Sequence, residues 1–251
     1  MYAVTRDPPP RLPATTGVGG GLPRTIAQAG LVAVVSSVDL HEYGEQPLRQ
    51  RLEDLAWLEE TARAHHAVIE AVAQLGPVAP VRLATVYRDD ARVEAMLAER
   101  RTELLAALDR IRGRVEFGVK AYAELAEPSE RTTAAAAGNT SRPGTSYLMR
   151  RRADLSARDQ DWQAAVNSAE QVHAALGRLA DAARLHPPHH PRLSGRTEPM
   201  VLNGAYLVEV ERADGFLTAV RDLAGRHPGI QVEVTGPWPP YSFAEVEEKT
   251  P

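Results

Sequence analysis

The stretch Gly113-Arg114-Val115-Glu116-Phe117-Gly118-Val119-Lys120 decides how the chain is read. Val115, Phe117 and Val119 alternate with Glu116, Gly118 and Lys120, the period-two pattern of a half-buried strand. Gly113 in front of it stops a helical pattern, with Arg110 and Arg112 at the negative end of that helix's dipole. From residue 115 to residue 236 the order reads strand, helix, a short strand near Leu193, strand, helix, strand. That is the order of a ferredoxin-like split βαβ unit. A boundary at Gly113 follows, giving two domains over residues 1–113 and 114–251.

Outward from this stretch, residues 128–145 (PSERTTAAAAGNTSRPGT) are of low complexity and read as a mobile linker. A helical pattern then spans about residues 146–185, with Leu148, Leu155, Trp162, Val166, Ala169, Leu176, Leu179 and Ala183 on its stripe. As one helix it would run roughly 60 Å, a projecting, coiled-coil-like arm. His186-Pro187-Pro188 ends it. Pro199 to Val210 reads as a strand and Arg212 to Ala224 as a helix with Phe216, Val220 and Leu223 inward. Ile230, Val232 and Val234 alternate in a last strand.

Toward the N-terminus the pattern is strand, strand, helix, strand, helix. Tyr2 to Thr5 is extended, and Pro8 to Gly21 is punctuated too densely for anything but loop. Leu31 to Val35 is short and apolar on both faces, hence a buried strand. Leu48, Leu52, Leu55, Ala62, Ile69 and Val72 form one helical stripe, ended at Gly76-Pro77. Val78 to Val86 is extended. Asp89 or Asp90 caps a helix with Val93, Leu97, Leu104, Leu108 and Ile111 inward. The fold class is α+β, a modified ferredoxin-like domain followed by a ferredoxin-like domain with a long helical extension.

The chain has no cysteine, which excludes disulfides, cysteine nucleophiles and thiolate metal sites and suits a cytoplasmic location. A net charge of −4 provides no basic field for nucleic acid or an anionic membrane. No signal peptide and no apolar run long enough to span a bilayer is visible.

Gly17 to Gly21 (GVGGG) lacks the strand, the helix and the lysine of a phosphate loop, and reads as a flexible turn. His186, His189 and His190 sit in an extended HPPHHP stretch, where a polar loop is the simpler reading than a metal site. The acidic pairs Glu53-Asp54, Glu59-Glu60 and Asp89-Asp90 read as solvated faces and helix caps. No catalytic residue, cofactor or metal is expected, and the chain does not read as an enzyme. Candidate partner-binding residues remain. Arg150-Arg151-Arg152 is a solvated helix face or a docking surface for an acidic partner. Trp57 is a core residue or a contact on the first long helix. Trp238, Tyr241 and Phe243, in the stiff GPWPPYSF tail, either fold back as a clasp or form a docking patch.

Six blocks then carry a resemblance. They are Leu55-Ala56-Trp57-Leu58-Glu59 with Ala64-His65; Pro80 to Tyr87 (PVRLATVY); Gly113 to Lys120; Tyr147 to Arg152 (YLMRRR); Leu202 to Val208 (LNGAYLV); and Thr235 to Phe243 (TGPWPPYSF). In this order they resemble the gas vesicle GvpF/GvpL family across nearly the whole chain. The resemblance implies an accessory or minor structural protein of the gas vesicle with the two domains described above. It implies binding to the hydrophobic shell subunit, which the protein would keep from aggregating during assembly, and to other gas vesicle accessory proteins, with a scaffolding role as the alternative. The N-terminal domain is the expected contact, because a sheet left incomplete by the loop at Pro8 to Gly21 offers an edge. The family is not known for a catalytic site, so none is carried over.

Overall fold

The structure, a computed structural model, describes residues 1–9, 12, 14–125, 143–188 and 196–244; at residues 143–150 and 154 it describes the backbone alone. It is mixed α/β with two four-stranded sheets. The chain divides into two compact units, Met1–Glu116 together with Pro237–Pro251, and Phe117–Gly236. The terminal segment thus groups with the first unit, whereas the sequence reading left it with the second half.

In the first unit, β1 (Ala3–Thr5), β2 (Arg24–Gln28), β3 (Leu31–Val35) and β4 (Val78–Pro80) lie in the order β2-β3-β1-β4 with antiparallel neighbours. All five residues of β3 are buried, as the doubly apolar run requires. Three short or helical pieces follow: α1 (Leu40–Tyr43), α2 (Glu45–Arg51) and α3 (Leu55–Ala73). The single helical stripe read from Leu48 to Val72 is therefore broken. Asp54 breaks it, because its carboxylate accepts the backbone N–H groups of Ala56 and Trp57 at 3.0 and 3.3 Å and starts a new helix. Leu52 and Leu55, counted inward, are exposed. From α3, Val68, Ile69 and Val72 pack with Tyr2, Ala3, Val34 and Val78.

After β4 the expected extension to Val86 stops early. Ala84 takes a left-handed φ of 66°, and Thr85 N–H turns back to the Arg82 carbonyl. The helix expected at 89–111 is two, α4 (Asp90–Glu99) and α5 (Arg101–Ile111), parted at Arg100 (φ −102°, ψ 15°). Asp89 is the cap, accepting Arg92 N–H at 2.9 Å. α4 packs against β2 and β3.

β2 escaped the sequence reading. Only Ile26 among its five residues is buried, so it carries neither alternation nor an apolar run. It reaches β3 through a two-residue turn, Ala29-Gly30, with φ of 55° and 75°, and Gln28 pairs Leu31. Two positive φ values are the mark of a type I′ hairpin turn.

The second unit holds β5 (Arg114–Ala123, entering from the first unit), α6 (Pro143–Gly177), β6 (Ala182–Leu185), β7 (Met200–Glu209), α7 (Ala213–Arg226) and β8 (Ile230–Trp238, leaving toward it), in the sheet order β6-β7-β5-β8. The long helical pattern to Leu185 is corrected here. α6 ends at Gly177, the N–H groups of Leu179 and Ala180 fold back on the Leu176 carbonyl, and residues 182–185 pair antiparallel with β7. Leu179 and Ala183 had extended the stripe by coincidence of spacing. The expected linker at 128–145 lies outside the described residues except for its last three, which open α6. The short strand near Leu193 and the residues His189 and His190 also lie outside them. The core gathers Phe117, Phe216 and Tyr206, with ring centroids 5.3 and 5.6 Å apart. The Tyr206 hydroxyl and His173 Nδ1 share a hydrogen bond of 2.8 Å. One short helix, α8 (Tyr241–Ala244), closes the terminal segment.

Ala29 holds a conformation that costs an L-residue with an ordinary side chain about 1–2 kcal/mol and that asparagine tolerates. Ala29→Asn is expected to raise stability in urea unfolding by about 1 kcal/mol. A loss of stability would contradict the turn assignment.

A candidate binding cleft in the first unit

A cavity of about 630 Å³ opens in the first unit. Ile26 from the middle of β2 and Val35 at the end of β3 line it, with Ser36 to Val38 where the chain leaves the sheet. Trp57, Thr61 and His65 line it from α3, and Val93 from α4. Leu40 of α1 and Val86 of the turn before α4 stand in its lining with 79% and 44% of their surface exposed. Two large aliphatic side chains thus stand partly in water beside one concavity.

Fixed polar groups shape the cleft. The Tyr2 hydroxyl meets Ser36 Oγ at 2.5 Å and accepts Val18 N–H at 2.9 Å. It thereby anchors the GVGGG loop, which forms a packed 3-10 turn at Val18–Gly20. Gly17 is glycine for steric reasons, since a Cβ there would lie 2.2 Å from the Tyr2 hydroxyl. Arg24 grips Asp90 in a bidentate pair at 2.8 and 2.6 Å, joining the start of β2 to the start of α4. Met1 donates its amino group to the Thr85 carbonyl at 3.0 Å. His65 Nε2–H donates to the Val81 carbonyl at 3.0 Å, and burial of the ring holds its pKa down at about 4, against that bond's pull the other way.

Trp57 is half-buried in the cleft wall, its ring 5.8 Å from that of Tyr43 and its face 5.8 Å from the Arg51 guanidinium. The other sequence candidates lie elsewhere. Tyr241 shares a 2.9 Å hydrogen bond with His66 Nδ1, and Trp238, 39% exposed, meets the same imidazole edge-on at 5.4 Å. Phe243 is buried, and the Arg110 guanidinium donates twice to its carbonyl, at 3.1 and 2.6 Å. Ser242 donates its N–H and its hydroxyl to the buried Glu116 carboxylate, both at 2.7 Å. The tail therefore clasps the first unit's own helices. Arg151 and Arg152 are exposed on α6, and at Arg150 only the backbone is described. Trp57 and the tail aromatics belong to the first unit and the three arginines to the second.

Sequence reasoning missed Leu40, Tyr43 and Val86, which belong to no periodic stripe. It also missed Glu116 as a clasp acceptor, although a carboxylate on a strand between apolar neighbours was a visible signal. Among the described residues, no group of three or more His, Asp or Glu is placed to hold a metal. No helix among them is long and apolar enough to cross a membrane.

In the lining of the cleft, Arg24, Asp90 and His65 are each engaged in bonds that hold the unit together. The chain belongs to the gas vesicle synthesis protein GvpL/GvpF family, whose profile matches residues 1–245. It is 43% identical over 250 residues to a gas vesicle protein L from Streptomyces sp., covering 99% of this chain and 93% of that protein. It is 30% identical to a gas vesicle protein F from Streptomyces sp., covering 98% of each. The fold is similar to the crystal structure of gas vesicle protein GvpF from an Anabaena strain, with a TM-score of 0.67 and 19% identity over 98% of this chain and 95% of that one.

The depressed His65 pKa carries a linkage consequence. The unfolded imidazole takes up a proton near pH 6.5 and the folded one near 4, so its contribution is complete above pH 6.5 and is lost as pH falls toward 4. Its full size is about 3 kcal/mol. His65→Gln is expected to remove that part of the acid destabilisation, read as the difference between variant and parent in urea unfolding from pH 7 to about pH 4. Parallel curves would contradict the buried, neutral imidazole.

Proposed function

We propose that the protein binds the hydrophobic shell subunit of the gas vesicle and keeps it from aggregating until it joins the growing shell. It works in association with the vesicle, in the cytoplasm, and alongside other gas vesicle accessory proteins. A wall that keeps water out of a gas space needs a subunit with a strongly apolar face, and such a face self-associates when free. The observation that carries the reading is the exposed rim of Leu40 and Val86 over the cleft of the first unit. Outer strand β2 adds to it. Thr25, Ala27 and Gln28 are exposed and uncharged, and the strand ends its sheet, so a partner strand can add along that edge.

The role is one of contact, with no reaction step. The β-α-β-β-α-β order of the second unit and its strand order β6-β7-β5-β8 support a ferredoxin-like reading of that unit, whose long helix serves as an extension.

The double variant Leu40→Glu with Val86→Glu, in the full chain, tests the cleft. Covering one such side chain is worth about 2 kcal/mol, so capture of the shell subunit is expected to weaken by more than about tenfold. Circular dichroism and the unfolding midpoint should stay unchanged, since both positions are exposed. Undiminished capture by a folded variant would overturn the assignment of the cleft.

A further inference from the structure

The register of the β2–β3 hairpin fixes which way each backbone group of β2 points. A two-residue turn is closed by a hydrogen-bonded pair, here Gln28 and Leu31. Bonded and unbonded pairs alternate along an antiparallel ladder. Ile26–Ala33 and Arg24–Val35 are therefore bonded, and Ala27–Val32 and Thr25–Val34 are not. The first strand agrees, since the Val34 carbonyl accepts Tyr2 N–H at 2.8 Å and so points away from β2. Thr25 and Ala27 thus turn their N–H and C=O groups out of the sheet, two donors and two acceptors in one row. Both residues are exposed, and no hydrogen bond from the described residues reaches these groups.

This row is the open edge of the sheet. At the opposite edge, α5 and α8 pack against β4. β2 lacks the common guards against pairing: it has no proline and no lysine, and its one charge, Arg24, is held by Asp90. Side chains alternate along the strand, so Arg24, Ile26 and Gln28 share one face and Thr25 and Ala27 the other. Arg24, Ile26 and Val35, the cross-strand partner of Arg24, all line the cleft. A residue placed opposite Ile26 on an added strand falls on that same face. The position is unbonded, where neighbouring side chains approach most closely. Residues opposite Thr25 and Ala27 make the hydrogen bonds and send their side chains to the exposed face.

We infer that the cleft and the β2 edge are one site, which an extended segment of the shell subunit enters as a fifth strand with apolar side chains at alternate positions. The inference rests on the reading of the cleft given above and adds how the partner is held. Thr25 and Ala27 take its backbone, and the cleft takes every second side chain. A helix laid in the cleft pairs its own backbone groups and leaves the row on β2 to water. Recognition by backbone groups leaves the positions opposite Thr25 and Ala27 free to vary.

Proline at an outward position separates strand from helix. Ala27→Pro removes an N–H that the free protein does not use, so circular dichroism and the unfolding midpoint are expected to stay near those of the parent. Capture of the co-expressed shell subunit by the full chain is expected to fall by about tenfold or more. Ala27→Thr keeps the N–H and is expected to capture as the parent does. Residue-resolved amide exchange gives a second readout on the unaltered chain, whether or not the proline variant folds. In the free protein the Thr25 and Ala27 amides should exchange fast beside slow Ile26 and Gln28, and binding should slow them. A folded Ala27→Pro chain that captures fully, or Thr25 and Ala27 amides that stay fast in the complex, would overturn the strand pairing. The cleft reading stands in that case if Leu40→Glu with Val86→Glu still loses capture. A parent chain that captures nothing overturns both.

Discussion

Complete burial of Leu31 to Val35 is the constraint from which the first unit follows. A strand apolar on both faces must be covered on both; Val68, Ile69 and Val72 of α3 pack in one cluster with Val34, and α4 packs against β3. Where β3 ends, the chain becomes Ser36-Ser37-Val38 and leaves the sheet. The cavity lies there, between residues of α3 and α4 that the strand no longer fills. The cleft is thus a product of a short central strand between longer helices.

Tyr2 and the terminal clasp keep this arrangement single-valued. One hydroxyl fixes both the glycine loop and the chain leaving β3, so the floor and one wall of the cleft are tied to the first strand. The terminal segment closes on α5 and on Glu116 through four hydrogen bonds that use charged groups. Bonds of this kind, part-buried and charge-assisted, are stronger than neutral ones. They hold the end of the chain on the unit that contains its beginning.

Much of this was legible in the sequence, and what was not had physical reasons. β3, β5, β7, α7 and the Asp89 cap announce themselves by period or by chemistry. The mixed α/β class came from the same patterns. β2 was invisible because an outer strand with one buried residue leaves no pattern to read. The breaks at Asp54, Arg100 and Gly177 were hidden because apolar residues on successive elements kept a helical spacing across them. Of the site candidates, Trp57 lies on α3 and lines the cleft. Leu40 and Val86 could not be found, since an exposed leucine becomes informative only when a cavity lies beneath it. The tail aromatics drew notice for their composition, and burial and hydrogen bonding then assigned Tyr241 and Phe243 to the clasp.

The central claim, that the first unit receives the shell subunit at its cleft and β2 edge, is most directly tested by hydrogen–deuterium exchange of the full chain with and without that subunit. The account predicts new protection in Arg24–Gln28, in α1 and α2, and in the turn from Leu83 to Asp89, with the second unit unchanged. Protection confined to α6 or to the sheet of the second unit would contradict it.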